Sequence, residues 1–238
     1  MKPSSNPEQP ANATARSRQR LLALFLPMSA ILYIAAEATA PKGTDQVIQT
    51  SSDALRLLNI AAKHPGPLYA AGAFAIAGLG GLIISYMAIA TLVNRRGAKL
   101  ATVAALIGGI GAFCGAITNV LVFPNLAAAA SAHMTKTAAS QFLVTSFNSG
   151  FGLGFTYTYL VAEWTAPFLM GLALWRSRSV PRWLAALFFI SLQTAEFQSS
   201  GGPIVILFML PFAAAMFLLS AHIWNAASTS NDESRSGT

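Results

Sequence analysis

The feature that most constrains this chain is a series of long apolar runs separated by short polar or basic segments. Each run has about 18 residues or more with few charges, the length an α-helix needs to cross the hydrocarbon core of a bilayer. The sequence therefore predicts an all-α polytopic membrane bundle of about six transmembrane helices. The runs extend over residues 21–40, 68–93, 100–123, 151–175, 183–199 and 203–224.

The composition favours lipid rather than water as the solvent of these runs. The 238 residues are 54% hydrophobic and 10% charged, whereas a soluble domain carries about 25% charged residues. The net charge of +7 is concentrated at the ends of the runs, which is typical of membrane topology signals and not of a nucleic-acid surface. We therefore expect the lipid bilayer as a partner, a small-molecule ligand as a possible second one, and no nucleic acid.

The distribution of basic residues predicts the orientation. Lys and Arg number 11 on the tails and even-numbered loops against 4 on the odd-numbered loops, so both termini should be cytoplasmic, in a multi-pass protein of the cell inner membrane. The alternative is that residues 21–40, which end in Ala38-Thr39-Ala40, are a cleavable signal peptide. Glu37 and Pro41 fit that alternative poorly, and it would leave five spans.

The remaining segments complete the predicted organisation. Residues 1–20 and 225–238 have too little apolar surface to pack and are predicted to be disordered cytoplasmic tails of a transmembrane domain over 21–224. Within that domain, the amphipathic pattern of residues 44–63 predicts an interfacial helix on the outer membrane surface.

Proline and glycine predict where helices end or approach one another. Pro124 should end the third span. The fourth helical region, 141–175, would be about 50 Å long as one helix and should bend near Gly150. Gly108, Gly111 and Gly115 recur at helical spacing on the third span, which favours close packing against another helix.

Three acidic residues, Glu37, Glu163 and Glu196, fall inside predicted spans. Such residues cost about 2.5–3.5 kcal/mol on insertion scales and usually face a bundle interior or a watery cavity. Counted from the nearest cytoplasmic arginine at about 1.5 Å per residue, Glu163 and Glu196 both lie about 20 Å deep, and Glu37 about 26 Å. We therefore expect Glu163 and Glu196 to share one cavity, with pKa values raised by burial.

Each acid has polar neighbours on its own helix face. Tyr159 and Thr156 precede Glu163 by four and seven residues, and Pro167, which cannot donate to the Glu163 carbonyl, predicts a kink. The candidate ligand or proton site comprises Glu163, Glu196, Glu37, Tyr159, Thr156, Gln193, Asn119 and Tyr33. The alternative is that the glutamates are protonated and only join helix to helix.

Other chemistries have little support in the sequence. The three histidines lie on loops or at a membrane edge, which disfavours a metal site, and Cys114, the single cysteine, lies in an apolar run. No Ser/His/Asp arrangement suggests nucleophilic hydrolysis. We expect no cofactor and no metal.

One stretch of the chain resembles a known family. Residues 150–184 combine an aromatic, Gly-rich span with the basic loop Arg176-Ser177-Arg178-Ser179-Val180-Pro181-Arg182-Trp183-Leu184. This stretch, about a third of the chain, is similar to an uncharacterised bacterial family of six-span membrane proteins, a domain of unknown function. The resemblance implies the six-span architecture and assigns no functional residue.

Three functions are compatible with these patterns. The first is binding or transport of a small amphiphilic or cationic molecule through a cavity containing the buried glutamates, with possible proton coupling. The second is a membrane-embedded enzyme using a glutamate general acid on a lipid or isoprenoid substrate, as in terpene-cyclase-like chemistry. The third is a non-catalytic membrane subunit or regulator.

Overall fold

The structure is a computed structural model that describes residues 8–44, 48–93, 96–132, 134–196 and 204–236, with side chains for residues 14, 17–44, 48–93, 96–132, 134–191 and 206–226. In this part of the chain every regular element is an α-helix, which confirms the all-α class. The helices are α1 (Glu8–Thr39), α2 (Ser51–Lys63), α3 (Pro65–Leu92), α4 (Ala98–Ser131), α5 (Lys136–Asn148), α6 (Gly150–Ser177), α7 (Arg182–Glu196) and α8 (Ile204–Ser236).

Four helical segments, not six, are long and apolar enough to cross a membrane by length and composition. This number fits a multi-pass membrane protein and corrects the predicted six. The helix α6 falls short because its Thr, Tyr, Glu and Trp side chains lower its hydropathy, and the described apolar part of α7, Arg182–Ser191, is too short. The four segments are Ser17–Thr39, Pro65–Leu92, Ala98–Ser131 and Ile206–Ala226.

Six helices form a closed ring in the order α1, α3, α4, α6, α7 and α8, with α8 returning to α1. Neighbouring helices run antiparallel. In the pair α1 and α3, for example, Tyr33 lies against Gly78, whereas Ser29, earlier on α1, contacts Ser85, later on α3. Small residues allow these close approaches, as lipid provides no hydrophobic drive for helix association. On α4 they are Gly108, Gly111 and Gly115, which face Tyr86, Ala162 and Tyr159 respectively.

The antiparallel order gives the bundle two different ends. One end, the basic end, gathers the start of α1, α4 and α7 and the end of α3, α6 and α8. Trp residues there lie under the guanidinium groups, with Arg20 5.4 Å from the Trp224 ring and Arg182 5.5 Å from Trp175. The described basic residues of this end are Arg18, Arg20, Arg96, Lys99, Arg176, Arg178 and Arg182.

The helices α2 and α5 pack on α4 at the opposite end, which we call the capped end. Their buried side chains, including Leu57 and Leu143, form a second core with Leu126 of α4. The start of α2 is fixed by a capping box, in which the Thr50 side chain accepts from the Asp53 amide and Asp53 accepts from the Thr50 amide. The placement of this segment on an outer membrane surface stays a prediction.

The break of region 141–175 near Gly150 agrees with the sequence prediction. It lies at Ser149, whose hydroxyl accepts from the Gly152 amide at the start of α6. Other helix ends differ from the prediction. Helix α2 begins at Ser51 and not at residue 44. Helix α4 continues through Pro124 to Ser131, because the proline ring packs on Gly72 and the surrounding apolar contacts outweigh one lost hydrogen bond. Helices α1 and α8 also extend into residues 8–20 and 225–236, predicted as disordered, since helix propagation costs little once a core segment is formed.

Candidate functional site

Three polar side chains in the middle of the ring form a continuous hydrogen-bonded chain. The Tyr159 hydroxyl donates to Glu163 Oε1 at 2.7 Å, and the Tyr159 and Tyr33 hydroxyls lie 3.0 Å apart. Tyr159 and Glu163 are one turn apart on α6 and therefore share a helix face, whereas Tyr33 comes from α1. We call this set the Tyr–Tyr–Glu chain; it joins two helices that are not neighbours in the sequence.

Small and aromatic neighbours hold the Tyr–Tyr–Glu chain in place. A Cβ on Gly115 would lie 2.7 Å from the Tyr159 ring, so only glycine at this position lets the ring pack on α4. The Tyr33 ring meets Phe212 of α8 edge-on, with ring centres 6.5 Å apart. Tyr86 of α3 is buried and close enough to Glu163 for electrostatic interaction. Five helices of the ring thus contribute to one polar centre.

Two other predicted site residues bond within their own helices. Thr156 donates to the Gly152 carbonyl at 2.9 Å, and Asn119 donates to the Gly115 carbonyl at 2.9 Å. These bonds engage the side-chain donors locally, so neither residue joins the Tyr–Tyr–Glu chain. Pro167 is buried inside α6, which continues past it as one helix.

The predicted pairing of Glu163 with Glu196 stays a prediction. The side chains of Glu196 and Gln193 lie outside the described residues. Glu37 is half-buried on α1, one turn after Tyr33 and nearer the capped end. Of these three acids, Glu163 is the member of the Tyr–Tyr–Glu chain.

The sequence interpretation missed two features of this centre. It had only the spacing of Tyr33 from Glu37, four residues later on the same helix, whereas the Tyr33 hydroxyl lies against Tyr159 of α6. It also missed Tyr86, which adjoins Ser85, and Ser85 in turn bonds Ser29 of α1 at 3.1 Å. The adjacent polar pair Ser85-Tyr86 in an otherwise apolar run was the signal that could have indicated a buried polar contact.

A groove open to the outside of the bundle lies directly beside the polar centre. It measures about 450 Å³ and is lined by residues of α4 and α6, among them Tyr157, Thr158 and Ala162. Ala162 precedes Glu163 in the chain, so the groove wall and Glu163 lie at the same level of α6, although Glu163 itself does not line the groove. Its predominantly apolar lining suits a hydrocarbon or aromatic group.

Metal coordination has no counterpart in the described residues. No group of three or more His, Cys, Asp or Glu side chains lies close enough there to hold a metal ion. Cys114 is buried in α4 as a free thiol. The described centre therefore offers phenol and carboxyl groups, which bind protons and cations.

A family model for a domain of unknown function, DUF4386, matches residues 23–224. The chain belongs to the DUF4386 family. The family match spans the whole ring from α1 to α8, so the predicted resemblance over about a third of the chain was too narrow. No curated protein matches the chain, and no solved structure matches it.

Proposed function

We propose that this membrane protein binds a small amphiphilic cation at Glu163 and exchanges it against a proton. The observation that carries the proposal is the Tyr–Tyr–Glu chain, which links a carboxyl group to two phenols between α1 and α6. A carboxylate inside a bundle attracts a cation more strongly than the same group in water, because the surrounding dielectric is low. The Tyr33 and Tyr159 rings add aromatic faces that favour organic cations.

The groove between α4 and α6 supports an amphiphilic ligand. Its apolar lining could receive the hydrophobic part while the charged part approaches Glu163. Tyrosine hydroxyls also give a proton a route between neighbouring helices, since each hydroxyl both donates and accepts. Because the same carboxyl group would hold either the cation or a proton, binding of the cation would release the proton.

We propose further that α6 lies in the bilayer beside α4. Helix α6 follows α4 from Ala173, which lies against Gly97, to Tyr159, which lies against Gly115. This shared stretch of α6 is about 21 Å long, so a bilayer that contains α4 also contains α6. With the basic end in the cytoplasm, both termini are cytoplasmic and α2 and α5 lie on the outer surface.

Flux of ethidium, a lipophilic cation, tests the proposal. Protein reconstituted in phosphatidylcholine vesicles should move ethidium in response to an imposed pH gradient. Glu163→Gln should lower the initial rate by at least about tenfold, because the charge is removed while the shape is kept. Asp53→Asn, an equivalent loss of a carboxylate on α2, should leave the rate unchanged. Equal rates for wild type and Glu163→Gln would refute the proposed role of Glu163.

A second candidate, a glutamate general acid acting on a lipid or isoprenoid, has one observation in its favour. The groove beside Glu163 opens to the outer surface of the bundle, where lipid lies if α4 and α6 cross the membrane. Time-dependent appearance of a rearranged isoprenoid in vesicles with wild-type protein, and its loss with Glu163→Gln, would favour this enzyme over the cation-binding protein.

A further inference from the structure

A second pocket lies on the surface of the capped end, away from the Tyr–Tyr–Glu chain. It measures about 370 Å³ and is formed by the second half of α2 and the first residue beyond it. Arg56 and Lys63 are seven residues apart on α2 and therefore lie on one helix face. The remaining lining residues are Asn59, Ile60 and His64.

Basic residues of two helices meet at this pocket. Lys136 of α5 donates from Nζ to Asn59 Oδ1 at 3.1 Å, which places its ammonium group at the pocket edge. The Gly43 backbone lies near Ile60, one residue after Lys42 in the chain. Arg56, Lys63 and Lys136 thus gather at one place on the capped end.

Membrane topology does not explain this gathering. The charge bias that orients a bundle requires few basic residues at the outer end, and mutual repulsion would favour spreading them. Asp53, the acid one turn before Arg56, is engaged in the capping box, where its Oδ2 accepts from the Thr50 amide at 2.9 Å and from the Thr50 hydroxyl at 2.7 Å. Within α2, the acid nearest to Arg56 is thus already engaged in hydrogen bonds.

From this arrangement we infer that the pocket binds a phosphate group, with Arg56 and Lys63 as its principal ligands. A guanidinium group pairs two phosphate oxygens at once, and the Lys63 ammonium and the His64 ring extend the set of donors. The phosphate belongs either to a lipid headgroup at the membrane surface or to a small solute. The inference does not depend on the function proposed for Glu163.

Residue-resolved lysine acylation tests the phosphate site on the full-length protein. Lys63, Lys136 and Lys99 are all exposed, but Lys99 lies at the basic end and serves as the internal control. One arm adds millimolar inorganic phosphate to detergent-solubilised protein. The other compares vesicles of phosphatidylcholine alone with vesicles that also contain phosphatidylglycerol. Each arm is run on wild type and on Arg56→Gln.

We expect slower acylation of Lys63 and Lys136 in at least one arm, and Arg56→Gln should weaken this protection by about tenfold. Protection by phosphatidylglycerol alone would identify a lipid headgroup, and protection by inorganic phosphate would identify a site open to solutes. Absence of Lys63 protection in both arms would overturn the inference. So would protection that Arg56→Gln does not reduce, or equal protection of Lys99 by inorganic phosphate.

Discussion

Removal of the two phenol hydroxyls, singly and together, probes the Tyr–Tyr–Glu chain. Tyr33→Phe deletes the interhelical hydrogen bond to Tyr159, whereas Tyr159→Phe deletes that bond and also the bond to Glu163 within α6. A hydrogen bond between helices in a membrane contributes about 0.6 kcal/mol on average and about 1.7 kcal/mol at most. We therefore expect Tyr33→Phe to lower the free energy of unfolding by about 0.6 kcal/mol. Tyr159→Phe should lower it further, by about 0.5–1.5 kcal/mol for the lost bond to Glu163.

The double variant distinguishes a shared bond from two independent contacts. Once Tyr159→Phe has removed the bond between the two hydroxyls, Tyr33→Phe can no longer remove that bond. The coupling energy should therefore equal the cost of one bond, about 0.6 kcal/mol. The measurement is reversible unfolding in mixed micelles. Tyr157→Phe, on the exposed face of α6, is the matched control and should be neutral. If the losses of unfolding free energy in Tyr33→Phe and Tyr159→Phe simply add in the double variant, the bond between the two hydroxyls is refuted.

Three further predictions concern packing, capping and topology. Gly111→Ala should lower the free energy of unfolding by about 1–3 kcal/mol because its Cβ collides with Ala162. Ala162→Gly should restore the stability of that variant, and Gly109→Ala should be nearly silent; failure of the rescue would contradict the α4–α6 contact. Thr50→Ala should cost the protein about 0.5–2 kcal/mol, measured by thermal unfolding. Hydrogen bonds from the Thr50 side chain and amide lower the Asp53 pKa below its ordinary value of 3.8. The stability that Asp53 contributes is therefore present above that value and is lost as pH falls through the lower folded-state pKa. Acid unfolding curves of wild type and Thr50→Ala, followed by circular dichroism, should differ in this pH range. A phosphatase fused to the C-terminus, active only outside the cell, should be inactive, and strong activity would contradict the cytoplasmic termini.

The helices could be predicted from the sequence because a bilayer leaves the backbone few alternatives. Apolar runs of spanning length have to satisfy their own hydrogen bonds, so α1, α3, α4 and α8 follow from composition alone. The number of spans was harder to predict. Helix α6 packs along α4, but polar side chains such as Glu163 lower its hydropathy. The effect of Pro124 depended on Gly72 of another helix, a contact that no local pattern encodes.

The polar centre was predicted only in part for a related reason. Spacing on one helix correctly grouped Tyr159 with Glu163, because residues four apart share a face. It could not assign Tyr33 to that pair, since the rotation and register of α1 relative to α6 are set by close contacts such as Gly78 against Tyr33 and Gly115 against Tyr159. Thr156 and Asn119 were also predicted as site residues, but each donates to a backbone carbonyl one turn earlier on its own helix.

The central claim is that the Glu163 carboxyl group binds an organic cation in competition with a proton. Equilibrium binding of ethidium to wild type and Glu163→Gln, measured in phosphatidylcholine nanodiscs across a pH series, tests it most directly. We expect wild-type affinity to fall as pH falls, and Glu163→Gln to bind at least about tenfold more weakly at neutral pH with no pH dependence. The same affinity and the same pH dependence in both proteins would contradict the account.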